Sequence, residues 1–382
     1  MRRRAVRRDY DVIVMGVGGI GSAALHHLAR RGATTLGIER FGVAHDRGSS
    51  HGDTRIIRKA YFEHPDYVPL LHRAYELWGE LEQDSGAELF HRCGFLTIGP
   101  PESAAITGLE VCYRQHRMPH ERLDADGIAA RYPQIRADAG SVAFFDPVGG
   151  YLRAEDCTVR HVQQARAAGA ELLTDTPVIS WEALADGIVV RTPADEITAA
   201  RLIMTTGAWI RPLLEACGVA TQVWRKVMFW YDVAGDSSFL PDELPTFFVE
   251  KGYGHFYGFP SVDGKGLKAA EHLAVTPVDD PETLERELLP ADGPPVQRFV
   301  SETFPGVLSG HTAHAVCMYT VTPDHHFVIG PHPDHPQVIM AGGFSGHGFK
   351  FASVVGEILA DLALDGSTRH PVDFLGLERF SG

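Results

Sequence analysis

Three residues near the C-terminal end of this 382-residue chain, Cys317, Tyr319 and Lys350, offer the most chemistry. Cys317 stands two residues before Tyr319 in HAVCMYTV, so a strand presents thiol and phenol on one face. By itself the cysteine is ambiguous, because free cysteines are usually buried and inert. Further on, VIMAGGFSGHGFK reads as a strand, a glycine-rich turn containing Gly346 and Gly348, and a helix with Lys350 in its first turn. A helix N-terminus carries free N–H groups and the positive end of a dipole, which suits an anionic ligand. Arg55 and Arg58, in DTRIIR, are three apart: a strand turns them to opposite sides, a helical turn brings them together. Arg58 can grip a carboxylate bidentately as no lysine can, although two surface cations is the simpler reading of the pattern. Lys268, in GFPSVDGKGLKAAEH, follows an aromatic run and lies close to His272; it is a buried cation or, more commonly, a snorkelling one. Tyr257 and Phe259 flank Gly258 on one strand face, where core packing and shaping of a substrate cavity are both open.

The scaffold for these groups is clearest at the other end of the chain. The apolar run DVIVMG leads into GVGGIG, with Gly16, Gly18 and Gly21 in a GxGxxG pattern. A helix with Leu25, Leu28 and Ala29 on one face follows; Gly32 ends it, and TTLGIE closes a second strand on Glu39, 21 residues after Gly18. Strand, glycine turn, helix and acid in this register define a dinucleotide-binding unit, with the acid where a ribose is held. The loop GVAHDRGSSHGDTRIIRKAY is polar, glycine-rich and basic. Helices are expected over 66–83, with Leu70, Ala74, Leu77 and Leu81 on one stripe, and over 154–168. Strands are expected at 171–174, 178–182, 188–191 and 201–205, and the aromatic and β-branched runs of 87–150 and 221–315 read as further strands. The fold class is therefore α/β: a Rossmann-like nucleotide domain assembled from 9–86, 151–220 and 316–382, and a mixed or antiparallel-sheet substrate domain from 87–150 and 221–315. Residues 1–8, MRRRAVRR, read as a solvated basic tail, since no apolar core or cleavage site follows them.

Composition narrows the field. A net charge of −14 gives no surplus to neutralise phosphates, so nucleic acid is not an expected partner. No apolar stretch suits a membrane span. Five cysteines, odd in number and without any CxxC, disfavour both a disulfide framework and a zinc site, and suit the cytoplasm. The 20 histidines include no HExxH spacing; His325, His326, His332 and His335 read as turn and surface residues, and no metal is expected.

Taken together, GVGGIG, HGDTRIIR, YGFP, CMYT and GFSGHGFKFASVVGE make the chain resemble, over nearly its full length, the monomeric sarcosine oxidase and N-methyltryptophan oxidase family of flavoenzymes, within the D-amino-acid-oxidase-like group. The resemblance implies FAD held by Gly16, Gly18, Gly21, Glu39, Gly346 and Gly348, and joined through a thioether from Cys317 to its 8α-methyl carbon. It implies that Arg58 and Lys350 bind the substrate carboxylate, that Lys268 is the cation beside the flavin where oxygen reacts, and that Arg55 lies by the ring. Tyr257, His272 and Tyr319 would line the substrate cavity, with Phe248 standing where sarcosine oxidases tend to carry a methionine. Other departures are Ala269, Ala270 and Glu271 after Lys268, and Val17 and Gly19 in the first glycine turn.

The implied activity is oxidation of the C–N bond of a secondary, N-methyl amino acid to an imine that hydrolyses, with O2 reduced to hydrogen peroxide. N-methyltryptophan or a cyclic imino acid such as proline or pipecolate are alternative substrates, and the implied protein is a monomer. Rival readings are an NAD-dependent dehydrogenase, a flavin-binding protein without activity, and a dehydrogenase that passes electrons to another carrier.

Overall fold

The computed structural model describes residues 9–380; the expected basic tail, 1–8, lies outside them. The strand Tyr10–Met15 is the centre of the first sheet, parallel to Glu196–Met204 on one side and Thr35–Ile38 on the other. Val12, Ile13 and Val14 are fully buried, which is why this strand reads as a continuous apolar run rather than an alternating one. The helix Gly19–Arg30 folds back over it, and Gly21 must be glycine: a Cβ there would stand 1.9 Å from the carbonyl oxygen of Gly16. Among the described residues this sheet has eight strands, Glu171–Leu173, Ser180–Leu184, Gly187–Arg191, Val328–Pro331 and Val338–Gly342 being the others. The helices Tyr67–Ser85, Ala154–Ala167 and Ala352–Asp365 join Gly19–Arg30 in one core; Leu70, Ala74, Leu77 and Leu81 are all buried in it, as their spacing predicts.

A second sheet of nine strands carries the cavity wall. Gln222–Tyr231 pairs antiparallel with both Leu267–Glu271 and His311–Val321, and Gly254–Phe259 and Thr246–Lys251 continue outward. Its two faces separate by the period of two that strands impose. Phe229, Tyr231, Phe247 and Phe256 pack beneath the helix Gly293–Thr303. Met228, Trp230, Ala270 and Cys317 point the other way, with Tyr257 and Tyr319 against them. His311–Val321 belongs wholly to this sheet, so the division at 315/316 falls inside a strand.

Several expectations need correction. The basic loop after Glu39 contains a strand, Thr54–Ile57, which pairs with Gly150–Arg153 in a small third sheet. Helices Ala104–His116 and Ala125–Arg131 occur where strands were expected; Ser103 and Asp124 start them by accepting from the Ile106 and Gly127 N–H groups. Lys350 precedes its helix rather than lying in the first turn: a 3-10 turn, Phe349–Phe351, leads into Ala352–Asp365, a common tightening at helix ends.

Candidate active site

A long cleft of about 360 Å³ opens at the C-terminal ends of the parallel strands, where such folds bind ligands. Gly16, Gly18, Glu39 and His45 line one end, and Arg55, Tyr319, Gly346, Gly348 and Phe349 the other. The helix Gly19–Arg30 begins on it with no side-chain cap, and a Cβ on Gly18 would meet nothing within 4 Å. The Gly19 N–H donates to the Ser50 hydroxyl at 3.3 Å, and this helix start beside the open space at Gly18 forms a cradle that a pyrophosphate fits. Glu39 accepts from the N–H groups of Val17 (2.7 Å) and Phe41 (3.0 Å), and its Oε1 lies 3.3 Å from His45 Nε2. Burial opposes its charge, but His45 and the two amides outweigh that and hold its pKa below the usual range. An ionised acceptor at the end of the second strand suits a ribose hydroxyl.

A smaller cavity of about 80 Å³ adjoins the cleft, and Arg55, Tyr319, Gly346 and Phe349 line both. Gly346 has φ +84, and a Cβ on it would lie 2.2 Å from the Tyr319 ring, so glycine lets the turn close over the phenol. Phe95, Phe248, Tyr257, Phe259 and His272 form one wall; Arg58, Glu63 and Lys350 form the polar end. Cys317 and Tyr319 both reach this cavity, as two residues on one strand face should.

The polar end is a cluster of buried charges. Arg58 is 4 % exposed; one guanidinium nitrogen donates to both oxygens of Glu63 (2.6 and 2.7 Å) and another to the Ala60 carbonyl at 2.6 Å. Its guanidinium also lies over the rings of Tyr61 and Phe62, at 4.3 and 4.2 Å. The Lys350 ammonium donates to the His347 carbonyl at 2.8 Å, and burial followed by Arg58 lowers its pKa to about 7. Two cations against one carboxylate leave room for a second anion. His347 is fixed as a tautomer by its partners: Nε2 can only donate to the His325 carbonyl (2.9 Å), so Nδ1 accepts from the Tyr61 hydroxyl. His272 is kept neutral chiefly by burial, its pKa pushed down to about 3, while burial lifts Tyr257 to about 12. Cys317 is 2 % exposed; burial raises its pKa, and Arg55 and Lys268 pull it back.

Arg55 and Lys268 are both anchored on backbone carbonyls. Arg55 is turned toward backbone, donating to the carbonyls of Thr54 (2.8 Å) and Ser49 (2.7 Å), yet it borders both cavities. Lys268 lines neither. It lies behind the wall, donating to the carbonyls of Gly52 and Thr54 and to the Thr54 hydroxyl, with its Nζ 4.5 Å from the Phe259 ring centroid. Burial and then Arg55 press its pKa down, while three oxygen acceptors match the three donors of an ammonium. Glu63 and His347 were missed: AYFEHPD carries no spacing that marks its acid, and His347 lay unremarked within GHGFK.

Strand order, the glycine turn into the first helix and the acid that ends the second strand are together those of a dinucleotide-binding fold. A model of FAD dependent oxidoreductases matches residues 11–362. Monomeric sarcosine oxidase from Streptomyces avermitilis is 43% identical over 376 residues, covering 97% of this chain and 98% of that protein. N-methyl-L-tryptophan oxidase from Escherichia coli O139:H28 is 36% identical over 377 residues, covering 97% and 99%. The chain thus belongs to the FAD-dependent oxidoreductases, in the family of monomeric sarcosine oxidase and N-methyltryptophan oxidase. The open form of NikD, an unusual amino acid oxidase essential for nikkomycin biosynthesis, superposes with a TM-score of 0.86 at 25% identity, covering 96% of this chain and 97% of that one.

Proposed function

We propose that this enzyme oxidises a small N-methyl amino acid, sarcosine or a close analogue, at the carbon next to nitrogen. The observation that carries this reading is the cavity of about 80 Å³, aromatic on one side and cationic at one end, that adjoins the dinucleotide cleft. Bound in that cleft, FAD would supply the two-electron acceptor, with O2 as the final oxidant and hydrogen peroxide as its product. Arg58 and Lys350 take the substrate carboxylate, with Glu63 marking the kind of group this guanidinium binds. Their positive charge disfavours the ammonium form of the substrate, so the amine enters with a lone pair available. Phe248, Tyr257, His272 and Tyr319 hold the N-methyl end, and the neutral imidazole adds no charge there. Lys268 would act through the wall as a fixed cation toward the oxygen reaction, and Arg55, which borders both cavities, would be at hand to meet the bound flavin. Cys317 would be the attachment point for the flavin, since it lines the small cavity on the same strand face as Tyr319, which borders both cavities. With sarcosine, O2 and water, the products are glycine, formaldehyde and hydrogen peroxide.

The small cavity favours sarcosine over N-methyltryptophan, whose indole would need the Phe62–Phe248 contact, 5.2 Å between ring centroids, to open. We further read the protein as a cytoplasmic monomer; its five cysteines are all free, and no helix among the described residues is long and apolar enough to cross a membrane. The test is peroxide formation in air from sarcosine, N-methyl-L-tryptophan and L-proline, compared by kcat/KM on the purified yellow protein. Preference for sarcosine supports the reading. Turnover of only the bulkier or cyclic substrates reassigns the cavity, and bleaching without peroxide reassigns the electron acceptor.

A further inference from the structure

We propose that Lys226 is a positioning residue of the substrate cavity, its ammonium bracing from behind the walls made by His272 and Tyr319. The inference rests on the reading of that cavity given above and adds a residue outside it. Lys226 stands directly opposite Cys317 in the antiparallel register of Gln222–Tyr231 and His311–Val321, so both side chains leave the same face of the sheet. It is 3 % exposed and donates to the carbonyl of Ala274, the second residue after His272. Its Nζ also lies 5.1 Å from the centroid of the Tyr319 ring, within cation–π range. The rings of His272 and Tyr319 are 5.8 Å apart and both line the cavity, whereas Lys226 does not. One buried ammonium therefore holds the backbone behind one wall and the ring of the other.

Packing alone does not account for a charge in this place. Among the described residues Lys226 forms no ion pair with a carboxylate; Glu271, half-buried, is the acid whose charge acts on it. A methionine of similar length would fill the space without the desolvation cost of an ammonium. Its presence behind a binding cavity points to a role there. The segment it pins leaves Leu273 and Val275 41 % and 56 % exposed, and the backbone is next held at Thr276, whose carbonyl accepts from the Arg225 N–H at 2.8 Å.

The test uses the flavin-loaded protein, with acetate as an anionic probe followed through the flavin spectrum and sarcosine as substrate. Lys226→Met is expected to raise the acetate Kd and the sarcosine KM together by about five- to tenfold, the net worth of one ordinary intramolecular hydrogen bond, with kcat within about twofold. Lys226→Arg should recover most of the loss, and Lys226→Gln, a donor without charge, should fall between. Unchanged Kd and KM in Lys226→Met, a fall in kcat alone, or an arginine variant no better than methionine would overturn the proposal. If Lys226→Met does not fold, the glutamine and arginine variants decide it on the same readouts. Wild-type protein that neither binds acetate nor turns over sarcosine defeats the cavity reading itself, and this inference with it.

Discussion

Anion binding in the small cavity should be a proton-uptake reaction, with Lys350 as the group that takes the proton. Its ammonium is 5 % exposed, bonded to the His347 carbonyl, and brought to a pKa of about 7 by burial and by Arg58. At neutral pH the empty site therefore holds Lys350 about half protonated. A carboxylate drawn in beside it supplies the missing opposite charge and returns the pKa toward the ordinary lysine value of about 10.4. The sign follows directly: affinity is greatest below pH 7, where the lysine is charged whether or not the site is filled. Above pH 7 each bound anion must recruit a proton, so the Kd rises about tenfold per unit until the bound-state pKa is reached. A rise of roughly three units corresponds to about 4 kcal/mol of linked binding energy, at about 1.4 kcal/mol per unit. Near pH 8 a group with a pKa of about 7 takes up about 0.9 proton on being returned to the charged form. Acetate is a suitable probe because it stays ionised throughout the range. The assay is acetate titration of the flavin spectrum from about pH 6 to 9.5, with calorimetry in buffers of different ionisation enthalpy to count protons. Lys226, with a pKa brought to about 8 by burial, adds a shallower second step that Lys226→Met should remove. Lys350→Met should bind acetate weakly and without the main step. A Kd that stays constant over this range in the unaltered protein, or no proton uptake near pH 8, refutes the assignment.

Other outcomes test separate parts of the site. Lys268→Met should leave anaerobic reduction by substrate largely intact while slowing reoxidation by O2 by about 10²–10³-fold, the usual worth of one preorganised electrostatic group; stopped-flow traces with fast reoxidation would count against the role. Cys317→Ser should still bind FAD but release it on acid precipitation, and flavin retained in that pellet would move the link elsewhere. His26, His27 and His161 form a buried cluster whose pKa values burial lowers, to about 3 and about 4 for the first two. Folded values below the unfolded one mean that stability present above about pH 6.5 is lost as pH falls toward the folded values. His161→Gln should therefore reduce the slope of unfolding free energy against pH, near pH 5, by about 1.4 kcal/mol per unit. An unaltered slope would show that His161 already takes up its proton in the folded protein.

The first sheet was legible because its signals are local. GVGGIG and Glu39 lie within one strand–helix–strand unit, and the stripe from Leu70 to Leu81 lies within one helix. The wall of the small cavity was legible only in part. Period two correctly put Cys317 beside Tyr319 and Tyr257 beside Phe259, but no local pattern says which strands become neighbours. Lys226 belongs to that face through a pairing with Cys317, 91 residues along the chain, and its segment reads locally as an apolar strand. Glu63 escaped for a different reason: an acid five residues after Arg58 has meaning only once the chain curls back. Short strands such as Thr54–Ile57 gain their structure from partners, here Gly150–Arg153, rather than from composition.

The order in which strands enter the two sheets bears on biosynthesis. The first sheet draws on 10–38, 171–204 and 328–342, and the second on 95–146, 222–278 and 311–321, so the chain crosses between them repeatedly. Glu196–Met204 waits for Val338–Gly342 to cover one edge, and the turn that seals the cofactor cleft, with Gly346 and Phe349, comes later still. Gly187–Arg191 covers Glu196–Ala199 at once, but a chain emerging from the ribosome at about 5–20 residues per second keeps the Leu202–Met204 part of that edge unpaired for several seconds to tens of seconds. The cofactor cleft therefore lacks part of its lining until the last residues are made, and truncation before residue 338 would remove the partner of Leu202–Met204 and leave that part of the sheet edge open.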